Sequence, residues 1–227
     1  MPEQLTFDLP ARPALGRDDF FVSPANAAAI ASVENWRNWP GRKLLICGGK
    51  GAGKTHLAHV WAADSGARVL RARDLATLDV ARTVAETPEL AVEDIDTISG
   101  NPDAERALFH LHNLTLAEGG SLLLSAARTP PRFDLKDLQS RVDGTLRARI
   151  LPPDDALLAA VLVKLLADRQ IGITAPAVSY IARRMERSLA SAGDLVAALD
   201  AASLSQNRPI TRELARAVLD KKPAGPS

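Results

Sequence analysis

Residues Gly48-Gly49-Lys50-Gly51-Ala52-Gly53-Lys54-Thr55 match the spacing G-x-x-x-x-G-K-[ST] in full. Glycines at this spacing let successive backbone N–H groups converge on one anion without a Cβ in the way. The lysine adds a full positive charge, and the hydroxyl after it suits a hard cation. That chemistry is the chemistry of a phosphate chain with its Mg2+, Lys54 reaching the outer phosphates and Thr55 the metal. Lys50, inside the loop, adds a second positive charge. Acids are needed across such a site, and the apolar run Leu90-Ala91-Val92 ends at Glu93-Asp94. The usual order puts a metal-directed acid first and a water-polarising acid second. Here Glu93, one methylene longer than aspartate, takes the first place as a ligand to Mg, and Asp94 the second. Asp96 reads as a spare carboxylate.

These residues act together only if regular elements bring them there. KLLICGG at 43–49 is a short apolar run ending in glycines, which suits a buried parallel strand. KTHLAHVWAADSG then reads as a helix whose positive N-terminal end points at the loop. ARVLRA, ELAVED, SLLLSAA and LRARIL give four more strands, so strands alternate with helices and predict a parallel sheet. Ser23-Pro24 predicts the start of an alanine-rich helix reaching about Trp36, broken by Trp39-Pro40-Gly41. PDAERALFHLHNLTLAEGG is amphipathic, with Ala107, Leu108, Leu111, Leu114 and Leu116 toward the core.

From Pro152 the pattern turns wholly helical. PPDDALLAAVLVKLLADRQ places Leu157, Leu158, Val161, Leu162, Leu165 and Leu166 on one face. TAPAVSYIARRM, SAGDLVAALDAASL and TRELARAVL follow, each opened by a Ser or Thr suited to capping. We therefore read residues 1–17 as an extended, proline-punctuated tail and 18–150 as an α/β domain with a parallel five-stranded sheet. Residues 151–220 form a small all-α domain, and 221–227 a disordered tail.

Bulk properties narrow the function classes. With 227 residues and 46% hydrophobic content, the chain can build a real core. Its 28 basic and 27 acidic residues nearly cancel, which argues against a nucleic-acid binder that relies on a basic field. The single cysteine, Cys47, permits no internal disulfide and fits a reducing cytoplasm; it reads as a small core residue. MPEQLTFDLP lacks the basic and apolar regions of a signal peptide, and the apolar run ALLAAVLV is far too short for a membrane span. His56 and His59 stand three apart on the helix after the loop, a spacing that can bind metal, but with no third ligand nearby helix packing is the simpler reading. His110 and His112, two apart, do not share a helix face. Trp36 and Trp39 read as packing residues.

A phosphate loop, acidic and polar strand ends and a helical lid together resemble the AAA+ ATPases. FFVSPANAAA, SLLLSAARTPP and LKDLQSRVDGTLRARILPPDDALLAAVLVKLL narrow the likeness to the DnaA branch over about residues 18–219. That resemblance implies a sensor 1 role for Ser125 and an arginine-finger role for Arg141, which would serve the nucleotide of a neighbouring molecule. Arg147 and Arg149 carry less weight as partner-facing residues. It also adds Phe21, Val22 and His56 to the nucleotide-binding set, with ATP or ADP and Mg as ligands. A sensor 2 arginine is expected early in the third lid helix, and Ala190 stands there; Arg187, three residues off, would substitute only after a register shift. Together with Glu93, that substitution implies slow self-hydrolysis and a nucleotide held chiefly as a structural ligand.

Neither the N-terminal interaction domain of DnaA nor its helix-turn-helix domain has a counterpart in this sequence. That plan resembles the Hda-type regulators, which switch the initiator off after replication begins. In such proteins QLTFDLP corresponds to a clamp-binding peptide. Gln4 would bond at the rim of the sliding clamp's pocket, while Leu5, Phe7 and Leu9, with Pro10 closing the motif, fill it. Burying three apolar side chains contributes roughly 5–9 kcal/mol before ordering costs, which suits a reversible tether. The implied partners are the DNA sliding clamp and DnaA, with room for a homo-oligomer and without sequence-specific DNA binding. The implied location is the cytoplasm, near the replisome. The alternative reading is an autonomous AAA+ ATPase of helicase-loader or DnaA-initiator type. The separate helical lid speaks against a small-molecule kinase.

Overall fold

A computed structural model describes residues 21–127, 130–206 and 209–221. The expected tail at 1–17, with Gln4, Leu5, Phe7, Leu9 and Pro10, lies outside the described residues, as do residues 222–227. The described chain divides into two units. One runs Asn26–Leu151; the other joins residues 21–25 to the chain from Pro152 onward.

The first unit is built on five parallel strands: β1 (Lys43–Cys47), β2 (Arg68–Arg71), β3 (Leu90–Glu93), β4 (Leu122–Ala126) and β5 (Leu146–Arg149), in the order β2-β3-β4-β1-β5. The central strands are apolar on both faces because helices cover both. In β1, Leu44, Leu45 and Ile46 are fully buried. Leu45, Leu90, Leu122 and Leu124 meet the helices α3 (Val80–Glu86), α4 (Pro102–Ala117) and α5 (Lys136–Asp143) through Val84, Leu108, Leu111, Leu138 and Val142. α1 (Ala27–Glu34) and α2 (Lys54–Ser65) pack against each other and against other strands of the same sheet. A tryptophan trio lies beside them. The Trp61 ring meets Trp36 edge-on at 6.1 Å and Trp39 at 5.2 Å. Trp36 Nε1 donates to Asp64 Oδ2 at 2.6 Å, and Trp39 Nε1 to the Ser32 carbonyl at 2.6 Å. The expected packing role of Trp36 and Trp39 is therefore what this fold contains.

Three expectations need correction. Helix α1 begins at Ala27, later than Ser23-Pro24 predicts. The Ser23 hydroxyl accepts from the Ala25 N–H at 3.2 Å and closes a local turn rather than capping the helix. In α4 the buried face is Ala104, Glu105, Leu108, Leu111, His112 and Thr115; Ala107 and Leu114 are half-buried and pack against the same core as expected, whereas Leu116 is half-buried and not part of it. The face is turned by two polar residues that find partners inside. The Glu105 carboxylate accepts from the N–H groups of Gly100 (2.9 Å), Asp134 (3.3 Å) and Leu135 (2.8 Å), tying α4 to the start of α5. Helices α3 and α5, of 7 and 8 residues, were absent from the sequence reading.

In the second unit, α6 (Asp155–Ala167), α7 (Ala175–Arg184), α8 (Leu189–Gln206) and α9 (Arg212–Lys221) enclose Leu158, Leu162, Leu166, Val178, Ile181, Leu195, Val196 and Leu199. Asp154 caps α6 by accepting from the Leu157 N–H at 2.7 Å. Thr211 caps α9 by accepting from the Leu214 N–H at 3.3 Å. The third correction falls here. α8 is opened by Ser188 rather than Ser191, whose hydroxyl instead donates to Glu186 Oε2 at 2.6 Å.

Replacing Glu105 by alanine leaves three backbone donors without their acceptor, two of them on the approach to α5. We expect a loss of about 3 kcal/mol in urea unfolding, and a smaller loss for Glu105→Gln, which keeps one acceptor oxygen.

Candidate functional site

β1 runs straight into the glycine loop, and the start of the loop is tied to the strand ends on both sides. The Gly48 N–H donates to the Ala126 carbonyl at 3.2 Å, and the Ile150 N–H to the Cys47 carbonyl at 2.7 Å. A Cβ on Gly48 would come within 3.1 Å of the Ile150 carbonyl oxygen and 3.3 Å of the Ala52 Cβ, so a side chain there is tight and its neighbours must give by a few tenths of an ångström. Gly51 and Gly53 have φ of 71° and 103°, the left-handed region that costs other residues most. Lys54, only 7% exposed, donates to the carbonyls of Gly48 at 3.0 Å and Gly49 at 3.2 Å. Thr55 and His56 follow on the exposed side of the first turn of α2, and Lys50 and Gly49 are exposed at the loop tip. His59 is exposed as well, so neither it nor His56 is packed inside as expected. Among the described residues no cluster of three His, Cys, Asp or Glu is arranged to hold a metal ion.

The acids arrive from β3. The sheet register sets Val92 beside Leu124, so the end of β3 meets Ser125 on β4. The Ser125 hydroxyl, buried at 2% exposure, accepts from the Asp94 N–H at 3.0 Å. Asp94 itself is left-handed, with φ of 54°, and its Oδ1 lies 4.0 Å from Lys54 Nζ. Its carbonyl accepts from both the N–H (3.0 Å) and the hydroxyl (2.7 Å) of Thr97. Asp96 is not spare. Its Oδ1 accepts from the Ala127 N–H at 3.0 Å and ties the end of β4 to the acidic turn.

Glu93 differs from its neighbours. It is 8% exposed, and its Oε1 has no hydrogen-bond donor among the described residues. A buried carboxylate oxygen left unpaired is costly. It borders a cavity of about 330 Å3 lined by Thr55, Arg71, Ala72, Arg73, Glu93, Asp94 and Thr97. The Thr55 hydroxyl and the spare oxygen of Glu93 are hard oxygen donors, so this pair fits Mg2+. Sequence reasoning missed Arg71, Arg73 and Thr97. The one available signal was that ARVLRA carries a charged residue, Arg71, near its C-terminal end as ELAVED does, and the register pairs Arg71 with Glu93.

Arg141 is placed elsewhere. It lies in the last turn of α5, exposed, and its guanidinium has no carboxylate partner among the described residues. Its carbonyl accepts from Lys43 Nζ at 2.9 Å, and Lys43 is the first residue of β1. The glycine loop leaves the other end of the same strand, roughly 13 Å away along five residues. Arg147 is paired with Asp143 at 2.9 Å, whereas Arg149 is exposed at the loop end of β5, beside Cys47. Beneath Lys43 lies His112, 3% exposed, with Nε2 at 3.2 Å from Lys43 Nζ. Burial holds its imidazole down at about 4, helped by the charges of Lys43 and Arg141, against the hydrogen bond to Asn113. Burial and the Arg141 charge also lower the Lys43 ammonium.

In the helical unit, Arg187 donates to the Pro153 carbonyl at 3.1 Å and to Asp155 Oδ1 at 2.7 Å, so its fork is already engaged. Ala190 is exposed in the first turn of α8. Phe21 and Val22 are half-buried and belong to this unit. Among the described residues no helix is long and apolar enough to cross a membrane.

No family model matches the chain. It is 32% identical to the chromosomal replication initiator protein DnaA of Thermomicrobium roseum, over 87% of this chain and 48% of that protein. Against DnaA of Corynebacterium aurimucosum the identity is 30%, over 86% of this chain and 39% of that protein. The chain thus spans about half or less of the curated relatives it matches. Domain III of the Thermotoga maritima replication initiation protein DnaA superimposes with a TM-score of 0.76 at 20% identity, covering 89% of this chain and 94% of that one. The replication initiator DnaA bound to AMPPCP and single-stranded DNA gives a TM-score of 0.68 at 18% identity, over 83% and 65% of the two chains. The fold, a five-stranded parallel sheet with helices followed by a helical lid, is that of the AAA+ domain of DnaA.

His112 is neutral in the folded chain at pH 7 and resists protonation until about pH 4, while an unfolded histidine takes up its proton near 6.5. The unfolded state therefore binds more protons between those values, and stability falls as pH drops through this window. In urea titrations from pH 7 to 4 we expect the native chain to lose at most about 3 kcal/mol more than His112→Gln, whose own loss comes from the carboxylates alone.

Proposed function

Since a homologue of the AAA+ domain of DnaA makes up most of this chain, we propose that it is a regulatory AAA+ protein of DNA replication initiation. It binds an adenine nucleotide, ATP or ADP, at Gly48–Thr55 and lends Arg141 to the nucleotide of DnaA. Its own turnover is slow, and it acts as a negative regulator by hastening hydrolysis of DnaA-bound ATP. The observation that carries this reading is the place of Arg141, exposed and, among the described residues, without a carboxylate partner at the end of β1 opposite the glycine loop. From there the guanidinium is too far from its own loop to serve it, and suits a phosphate brought by a neighbour.

The local chemistry supports nucleotide binding. Lys54 is buried against the loop carbonyls, the start of α2 faces the same place, and the AMPPCP held by the related initiator is an ATP analogue. Thr55 and Glu93 would hold Mg2+, which supplies charge neutralisation between the outer phosphates. Asp94, positioned by Ser125 and near Lys54, would orient a water. Phe21, Val22 and His56 join the nucleotide-binding set by resemblance. The longer Glu93, and an Ala190 that offers no cation, support slow turnover.

The clamp-docking role rests on QLTFDLP alone. On this reading residues 4–10 tether the chain to the DNA sliding clamp, in the cytoplasm at the replisome. The balanced charge supports an absence of sequence-specific DNA contact. A second reading, an autonomous ATPase of loader or initiator type, is favoured by one feature: the Ser125–Asp94–Lys54 arrangement is assembled within this chain.

Two experiments separate these readings. Added to ATP-loaded DnaA, the native chain should speed hydrolysis, while Arg141→Ala should lose at least about 100-fold of that stimulation. Equal stimulation by both removes the finger role, and brisk turnover by the chain alone favours the second reading. In a clamp pull-down, Gln4→Ala/Leu5→Ala should be lost from the bound fraction; unchanged retention removes the tether.

A further inference from the structure

Arg141 is not the only cation at the base of β1. Lys43, half-buried, carries three N–H donors. One goes to the Arg141 carbonyl at 2.9 Å and a second to His112 Nε2 at 3.2 Å. The tautomer of His112 follows from its other side. Nδ1 lies 3.2 Å from Asn113 Oδ1, an acceptor only, so Nδ1 carries the proton and Nε2 offers its lone pair to Lys43. A neutral imidazole therefore anchors the ammonium from within, without cancelling its charge. The third N–H of Lys43 has no partner among the described residues.

Nor does a carboxylate balance the pair. Asp143, the acid nearest Arg141 in sequence, is taken up by Arg147 at 2.9 Å and by the Gln139 amide at 3.0 Å. Glu105, also on α4, is spent on backbone donors at the opposite end of α5. Among the described residues, two positive groups are thus held at one exposed edge of the sheet with no counter-ion of their own. Like charges are not kept together in this way without cost, and an anion placed between them removes it.

We propose that Lys43 and Arg141 form a single anion-binding site that receives the outer phosphates of a nucleoside triphosphate held by a second AAA+ molecule. Lys43 acts in two ways. Its bond to the Arg141 carbonyl fixes the last turn of α5 and so aims the guanidinium, and its free N–H meets a phosphate oxygen directly. This inference rests on the reading of Arg141 given above.

The test uses the full chain and the stimulated hydrolysis of DnaA-bound ATP, with the chain's concentration varied so that maximal rate and half-saturation separate. Lys43→Met should lower the maximal rate about tenfold with half-saturation little changed, and Lys43→Arg, which keeps charge and donors, should restore most of it. Both variants are first shown to be folded by their near-ultraviolet circular dichroism; Lys43→Gln replaces Lys43→Met if the latter does not fold. A wild-type rate in the uncharged variant, with Arg141→Ala inactive, overturns the role of Lys43 and leaves the finger standing. Equal loss in Lys43→Met and Lys43→Arg also overturns it, because charge would then be irrelevant. If Arg141→Ala itself stimulates like the native chain, the finger reading falls and this inference with it.

Discussion

A parallel sheet has two unlike ends, and the chemistry of this chain is divided between them. All five strands run the same way, so every strand-to-helix turn that can face phosphate lies at their C-terminal edge. The glycine loop, Glu93, Asp94 and Ser125 are there because β1, β3 and β4 are neighbours in the order β3-β4-β1. Arg141 and Lys43 belong to the other edge because α5 is followed by the turn into β5. No local flexibility of a side chain moves a group from one edge to the other.

Polar side chains on the backbone of a neighbouring segment fix both edges. Ser125 holds Asp94, Asp96 holds Ala127, Glu105 holds the start of α5, and Lys43 holds its end. Each is buried or half-buried and paired, with the exception of Glu93 Oε1. Where every other buried carboxylate oxygen in the region is satisfied, one that is not marks the place a ligand completes. On the proposed reading that ligand is Mg2+ with its phosphates.

Much of this was legible in the sequence, for physical reasons that also explain what was not. The glycine loop announces itself because its backbone shape restricts residue type: Gly48 meets Ile150, and Gly51 and Gly53 need positive φ. The five strands are visible as continuous apolar runs because both faces are covered. Short helices such as α3 give no such signal, since two turns carry too few apolar positions to show a period. Glu105 and Lys43 give no signal, Asp96 reads as spare and His112 as bland, because each belongs to a type that is usually solvated, and only tertiary contact tells a buried, paired acid or histidine from an exposed one. The start of α8 was misplaced because Ser188 and Ser191 are equally good caps in isolation; Glu186, by taking the Ser191 hydroxyl, decides between them.

The balance of charges favours a chain that acts on a neighbour over one that works alone. Near its own loop Lys54 is matched by two carbonyls and the Asp94 carboxylate, and the Asp94 backbone by Ser125 and Thr97, so the unpaired oxygen of Glu93 is what remains there for the chain's own ligand. Among the described residues, Arg141 at the far edge has no carboxylate partner, and Lys43 keeps one donor spare. An electrostatic field directed outward by unpaired cations draws in an anion from solution or from another molecule, while a matched set has little left to offer beyond its own ligand. On the proposed reading, therefore, the group that lowers a barrier is Arg141, at the edge where a second molecule brings the reaction to it.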